Sequence, residues 1–317
     1  MNNTLHVNQK LAFVFPGQGS QSVGMLAELA RAYPVVEETF AQASAVLAYD
    51  LWRLVQQGPA EELNRTDHTQ PAMLASGVAV WRVWRELGGS MPAVMAGHSL
   101  GEYTALVCAG ALDFATAVNL VTERGRFMQE AVPAGEGAMA AILGLEDDAV
   151  RALCAEVAQG RVLEAVNFNS PGQVVIAGHA DAVARAIEAA PAAGAKRAVA
   201  LPVSVPSHCR LMTPAAERLG ELLATVDLRS PEVPVINNVD VADEDHPGRI
   251  RDALVRQLHS PVRWVETIRA MAARGVTTLV ECGPGKVLAG LNRRIDRSLT
   301  TLPVYDPLTL QAALDGV

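Results

Sequence analysis

Short apolar runs alternate with longer stretches of helical period along most of this chain. Residues 12–15 form one such run, closed by Pro16-Gly17, and residues 93–96 form another. Runs this short, bounded by turn residues, predict strands buried on both faces. Helical spacing is predicted over residues 25–47 with a break near Pro34, and over 71–87 ending at Gly88-Gly89. It returns over residues 100–109 and 114–129.

The rhythm changes in the middle of the chain. Strands are predicted at 139–143, 162–168, 174–177 and 198–205, with helices at 147–158 and 181–190. A turn at Ser170-Pro171-Gly172 joins the second and third strands. That order, β-α-β-β-α-β, is the ferredoxin-like pattern. Gly135 and Gly137 flank its entry, Pro202 and Pro206 its exit. Beyond it come a helix at 214–223, a strand at 233–237, helices at 249–258 and 262–273, and a last strand at 279–280. Gly283-Pro284-Gly285 then opens a helix running to 295. The fold class expected is α/β: a large α/β-hydrolase-like domain with a mainly parallel sheet (1–134 and 206–317), and an inserted small ferredoxin-like domain (135–205).

Composition agrees with this picture. Of the 317 residues 50% are apolar but only 4% aromatic, so the core must be built from Ala, Val and Leu, which suits helices packed on a buried parallel sheet. A net charge of −8 argues against a nucleic-acid partner, whose phosphates need a basic surface. No C-x-x-C pair occurs among Cys108, Cys154, Cys209 and Cys282, so no metal site is expected and reduced thiols are. The polar start of the chain, residues 1–10, has no signal-type apolar stretch, and no run approaches the ~20 residues that span a bilayer. A cytoplasmic protein without a membrane partner is the expectation.

The chemistry is concentrated in Gly97-His98-Ser99-Leu100-Gly101, a G-x-S-x-G placed between a predicted strand and a predicted helix. In a nucleophile elbow the glycines let backbone segments approach where side chains would collide, and the turn lifts the serine hydroxyl clear of the sheet. The next helix aims its first N–H groups at whatever the serine attacks, which makes Leu100 an oxyanion donor. Such a serine needs a base. His6 and His246 lie in polar segments, and His98 leaves the turn on a different face from Ser99. His208 follows the last strand of the insert, where the chain re-enters the large domain. It is the favoured base on spacing, with His68, His179 and His259 left open.

Several motifs together resemble the bacterial malonyl-CoA:acyl carrier protein transacylase family. They are Phe15-Pro16-Gly17-Gln18-Gly19-Ser20-Gln21, Gly97 to Tyr103, Gln129-Glu130-Ala131-Val132-Pro133, Asn169-Ser170-Pro171-Gly172-Gln173, Pro206-Ser207-His208-Cys209, Gln257-Leu258 before Pro261-Val262, and Gly283-Pro284-Gly285-Lys286-Val287-Leu288. They occur in order over nearly the whole chain.

The resemblance implies Ser99 as nucleophile and His208 as general base, then general acid. A backbone carbonyl at Gln257 would orient the histidine, so no third acid is needed. Gln18 and Leu100 would supply the oxyanion N–H groups, and Arg124 would bind the malonyl carboxylate. A guanidinium suits that task because it grips a carboxylate through two parallel hydrogen bonds. Arg126 is expected on the surface. The resemblance also implies malonyl-CoA as substrate with no bound cofactor, an acyl carrier protein as partner, and ping-pong kinetics through a malonyl-serine. A monomer serving fatty acid biosynthesis is expected. Polyketide or malonate-decarboxylase acyltransferases and serine esterases are the alternatives, and Ser207, just before the histidine, bears on extender choice in polyketide relatives. Because such a carrier is acidic, a local basic face is needed, for which Lys196, Arg197 and Lys286, with Arg293-Arg294, are the candidates.

Overall fold

The computed structural model describes residues 7–203 and 205–317; His6 lies outside them. Five strands make one parallel sheet in the order β7-β2-β1-β8-β9. They are β1 (Val7–Phe15), β2 (Met91–Gly97), β7 (Val235–Ile236), β8 (Thr278–Cys282) and β9 (Thr300–Val304). Alternation along β1 explains its central place. Leu11, Phe13 and Phe15 face one hydrophobic layer and Ala12 and Val14 the other, all fully buried. Helices Thr66–Glu86 and Phe114–Ala131 cover the first face; Trp264–Ala273 and Val287–Ile295 cover the second. A sheet covered on both sides reads as a continuous apolar run rather than an alternating one.

The second sheet is antiparallel, in the order β4-β5-β3-β6. Its strands are β3 (Gly137–Leu143), β4 (Leu163–Ser170), β5 (Gln173–His179) and β6 (Arg197–Ala200). With helices Asp147–Val157 and Ala180–Ala189 between them, this is the β-α-β-β-α-β unit in its ferredoxin-like order. The helices bury one face against Ala140, Ile142, Val174 and Ile176. The opposite face, with Met139, Val166, Val175 and Ala177, turns toward Cys209. Two backbone hydrogen bonds stitch β4 to Val262, just ahead of the helix Trp264–Ala273: Phe168 N–H to Val262 O at 3.0 Å and Val262 N–H to Val166 O at 2.8 Å.

The structure corrects several expectations. The strand expected at 198–205 stops at Ala200, and residues 201–203 and 205–206 lie outside any strand, Pro202 and Pro206 being unable to donate to a ladder. The strand expected at 233–237 is only Val235–Ile236. The helix expected to begin at Pro71 begins at Thr66, so Pro71 sits inside it. Strand β9 and the helix Pro307–Asp315 were not anticipated. β9 has only half-buried side chains along most of its length and carries Pro303, which suits an edge strand.

Candidate active site

Strands β1, β2 and β8 are parallel, so the loops after their carboxyl ends emerge together, where open α/β sheets place their ligands. The elbow after β2 is sterically forced. A Cβ on Gly97 would lie 1.8 Å from Gly101 C, and one on Gly101 would lie 2.1 Å from Phe15 O. Ser99 itself has φ +51°, a left-handed conformation costly for a side-chain-bearing residue. Asn238 clamps the turn: its Oδ1 accepts from Ser99 N–H at 2.7 Å and its Nδ2 donates to Gly97 O at 2.7 Å.

Ser99 Oγ lies 2.8 Å from His208 Nε2, and His208 Nδ1 lies 2.7 Å from Gln257 O. A carbonyl can only accept, so Nδ1 carries the proton and Nε2 presents its lone pair to the serine hydroxyl. Burial is the main cause that pushes His208 down to about 3, reinforced by the Arg124 cation, so the ring is a neutral base at ordinary pH.

Arg124 is 1% exposed. Its Nη1 donates to Gln70 Oε1 at 2.8 Å, and its Nη2 to Gln257 Oε1 at 3.0 Å and to Ser99 Oγ at 3.3 Å. Its guanidinium carbon stands 5.3 Å from the Tyr103 ring centroid, and its buried Nε–H has no partner among the described residues. A buried cation beside the elbow serine with an unused N–H is suited to an anionic group. Arg126, in contrast, is exposed and pairs with Glu123 and Glu130.

Gln18 and Leu100 border the same cleft, which encloses about 640 Å³ open to solvent. Neither backbone N–H has a protein partner among the described residues. The small sheet closes the other side with Met139 and Asn167, and the segment after β6 adds Leu201 and Val203.

A parallel sheet with a strained serine elbow, a neutral histidine and free backbone N–H groups is equipped for acyl transfer or hydrolysis. Residues 12–304 match the acyl transferase domain family. The chain belongs to that family. This acyltransferase is similar to the malonyl CoA-acyl carrier protein transacylase of Salmonella typhimurium, 63% identical over 305 residues, 96% of this chain and 99% of the relative. A solved acyl carrier protein S-malonyltransferase from Vibrio cholerae is 62% identical with a TM-score of 0.94, the match covering 96% of this chain and 99% of that one. A solved malonyl-transacylase in complex with its type II PKS acyl-carrier protein is 59% identical with a TM-score of 0.96, covering 97% and 100%.

Four of the remaining histidines of the acyltransferase have other partners. His98 Nε2 is 2.8 Å from Asn169 Oδ1, joining the elbow to β4. His68 Nδ1 is 3.0 Å from Glu62 O, His179 Nδ1 accepts from Val162 N–H, and His246 caps the helix Pro247–Gln257 by accepting from Gly248 N–H. His259 is half-buried and does not border the cleft. The four cysteines are free. No cluster of three His, Cys, Asp or Glu side chains could hold a metal among the described residues, and no helix there is long and apolar enough to cross a membrane.

Lys196, Arg197 and Lys286 are exposed, and none borders the cleft. Lys196 packs over Gly144, beside the Gly172 turn, and Arg197 begins the edge strand β6. Arg294 donates to Gln173 Oε1 at 2.8 Å, tying a large-sheet helix to the small sheet.

Sequence reasoning did not single out Gln70, Glu102 or Asn238. Glu102 follows the elbow directly and is 2% exposed. An acid on the first turn of an otherwise apolar buried helix was the available signal. Its Oε2 accepts from Asn238 N–H and from Gln257 Nε2, both at 2.9 Å. Burial pushes this carboxyl up to about 7, against the lowering pull of those donors and of Arg124.

Proposed function

We propose that this acyltransferase moves a malonyl group from malonyl-CoA to the phosphopantetheine thiol of an acyl carrier protein through a malonyl ester on Ser99. One observation carries the reading: a buried Arg124 guanidinium 3.3 Å from a serine hydroxyl that is itself 2.8 Å from a neutral histidine. A short acyl chain ending in a carboxylate spans that arrangement.

Ser99 Oγ attacks the thioester carbonyl while its proton passes to His208 Nε2. The oxyanion is held by the Gln18 and Leu100 N–H groups. Collapse breaks the C–S bond, and His208 returns the proton to the leaving CoA thiolate. In the second half-reaction His208 takes the carrier thiol's proton, sulfur attacks the malonyl ester, and Ser99 regains its hydrogen. The Gln257 carbonyl keeps the imidazole in one tautomer throughout. Arg124 pairs with the malonyl carboxylate, and a neutral acyl chain leaves that buried cation without an anion. The chemistry calls for no resident cofactor.

Lys196, Arg197 and Lys286 are proposed to meet the acidic carrier, and supply of fatty acid biosynthesis in the cytoplasm is the proposed setting. The relative solved with a type II PKS carrier favours a second reading, delivery to a polyketide carrier, in which only the thiol donor changes.

Intact-mass measurement after mixing with malonyl-CoA tests the reaction. A malonyl adduct is expected on the wild type, absent from Ser99→Ala, and discharged by a carrier thiol. Turnover without any adduct would overturn the covalent route.

A further inference from the structure

Arg124 is a buried cation whose protein partners are two amide oxygens, a hydroxyl and an aromatic face; none of these is an anion. A buried charge ordinarily demands a counter-charge. A carboxylate placed directly on this guanidinium would occupy the N–H groups that a substrate carboxylate needs.

The structure places an acid at one remove, fully an anion only above about pH 7. Glu102 does not border the catalytic cleft; it faces a small cavity on the far side, with Asn237 and Glu244. Between Glu102 and Arg124 stands the side-chain amide of Gln257. Its Nε2 donates to Glu102 Oε2 at 2.9 Å and to Ser99 O at 3.1 Å, while its Oε1 accepts from Arg124 Nη2 at 3.0 Å. The amide's orientation follows from these contacts. Flipped, its NH2 would meet the guanidinium and its oxygen would meet a carboxylate and a carbonyl, three repulsive contacts in place of three hydrogen bonds. The carboxylate polarises the amide so that its oxygen is the better acceptor for Arg124.

We propose that Glu102 is a positioning residue for acyl-group selection: acting through the Gln257 amide, it holds Arg124 aimed at the cleft while leaving the guanidinium's two remaining N–H groups free for the substrate's carboxylate. Glu102 touches neither substrate nor the reacting atoms. The proposal rests on malonyl being the acyl group selected. The alternative is that Glu102 only braces the elbow through Asn238.

The measurement is the ratio of kcat/KM for malonyl-CoA to that for acetyl-CoA, which is independent of the fraction of enzyme correctly folded. Wild type, Glu102→Gln, Gln257→Met and the double variant are compared. In Glu102→Gln the ratio is expected to fall about tenfold, the scale of one hydrogen bond to a charged group, through a raised KM for malonyl-CoA. Gln257→Met, which removes the bridge, is expected to lower the ratio by itself, and adding Glu102→Gln to it is expected to lower it no further. If Glu102→Gln yields no soluble protein, a fall in the ratio in Gln257→Met supports the relay and an unchanged ratio there overturns it. A parallel loss with both thioesters in Glu102→Gln, or additive effects in the double variant, would also overturn the proposal. A wild type that forms no malonyl adduct would instead defeat the underlying reading, so the two failures are distinguishable.

Discussion

His208 Nδ1 faces the main-chain oxygen of Gln257 at 2.7 Å, so the proposed base is oriented by a neutral dipole rather than by an acid. An acid at that position would hold the imidazolium strongly. A carbonyl fixes the tautomer with much less effect on basicity, and the buried ring stays uncharged between proton transfers. His208→Ala should therefore lower the acylation rate by about 10³-fold, within the range of lost general-base catalysis. Single-turnover formation of the acyl-enzyme would measure it, and a loss under tenfold would contradict the assignment.

The pH dependence follows from the same burial. With His208 pushed down to about 3 from an ordinary 6.5, protonation inactivates only in acid. The acid limb of kcat/KM from this group should fall below about pH 5, since that parameter reports the free enzyme. Stability carries the same sign. The unfolded chain takes up the proton near 6.5 and the folded one resists it, so the contribution is complete above 6.5 and is lost as pH falls toward 3. A rate limb near 6.5 assigned to His208 would contradict this.

Arg124→Ala should reduce malonyl-CoA use by about 10²-fold or more, as expected when a charged hydrogen-bonding partner is removed from a buried site. Acetyl-CoA use should fall far less. Arg124→Lys should not restore the wild-type rate, because an ammonium cannot reproduce contacts in the plane of the fork. Competing the two thioesters in one assay gives the ratio directly.

Gly17→Ala tests the β1 loop. The new Cβ would stand 2.5 Å from His98 O, so the loop must shift and carry the neighbouring Gln18 N–H with it. A fall of about 10²-fold in kcat with a modest change in KM is expected, the pattern of a displaced oxyanion donor. Gly97→Ala, where the clash is with the helix backbone itself, should cost folding by about 3 kcal/mol or more, visible as a lowered denaturant midpoint.

Charge reversal at Lys196 and Arg197 should slow transfer to the carrier while sparing acylation by malonyl-CoA. The two half-reactions can be timed separately on the acyl-enzyme. Equal loss in both would remove these exposed residues from the docking face.

The sequence made the elbow and the strand-helix alternation legible, because both are written in local steric demands: glycine where backbones meet, apolar runs where both faces are buried. Ser99 and His208, far apart in sequence, are brought within hydrogen-bond distance. Gln70, Glu102 and Asn238 were not legible. Each acts across elements, Asn238 by pairing with Ser99 N–H and Gly97 O, and one-dimensional periodicity carries no record of such pairings. Strand β9 escaped for a related reason, since it lies at the sheet edge, where apolar patterning weakens.

Gln257 serves the site twice, with its backbone toward His208 and its side chain toward Arg124 and Ser99 O. Any amino acid at this position offers the same main-chain oxygen. In the proposed mechanism, proton transfer and substrate choice thus draw on different parts of one residue. A mutant library at position 257 can explore new acyl groups while the base keeps its partner, which makes this buried glutamine a natural entry point for redirecting the enzyme.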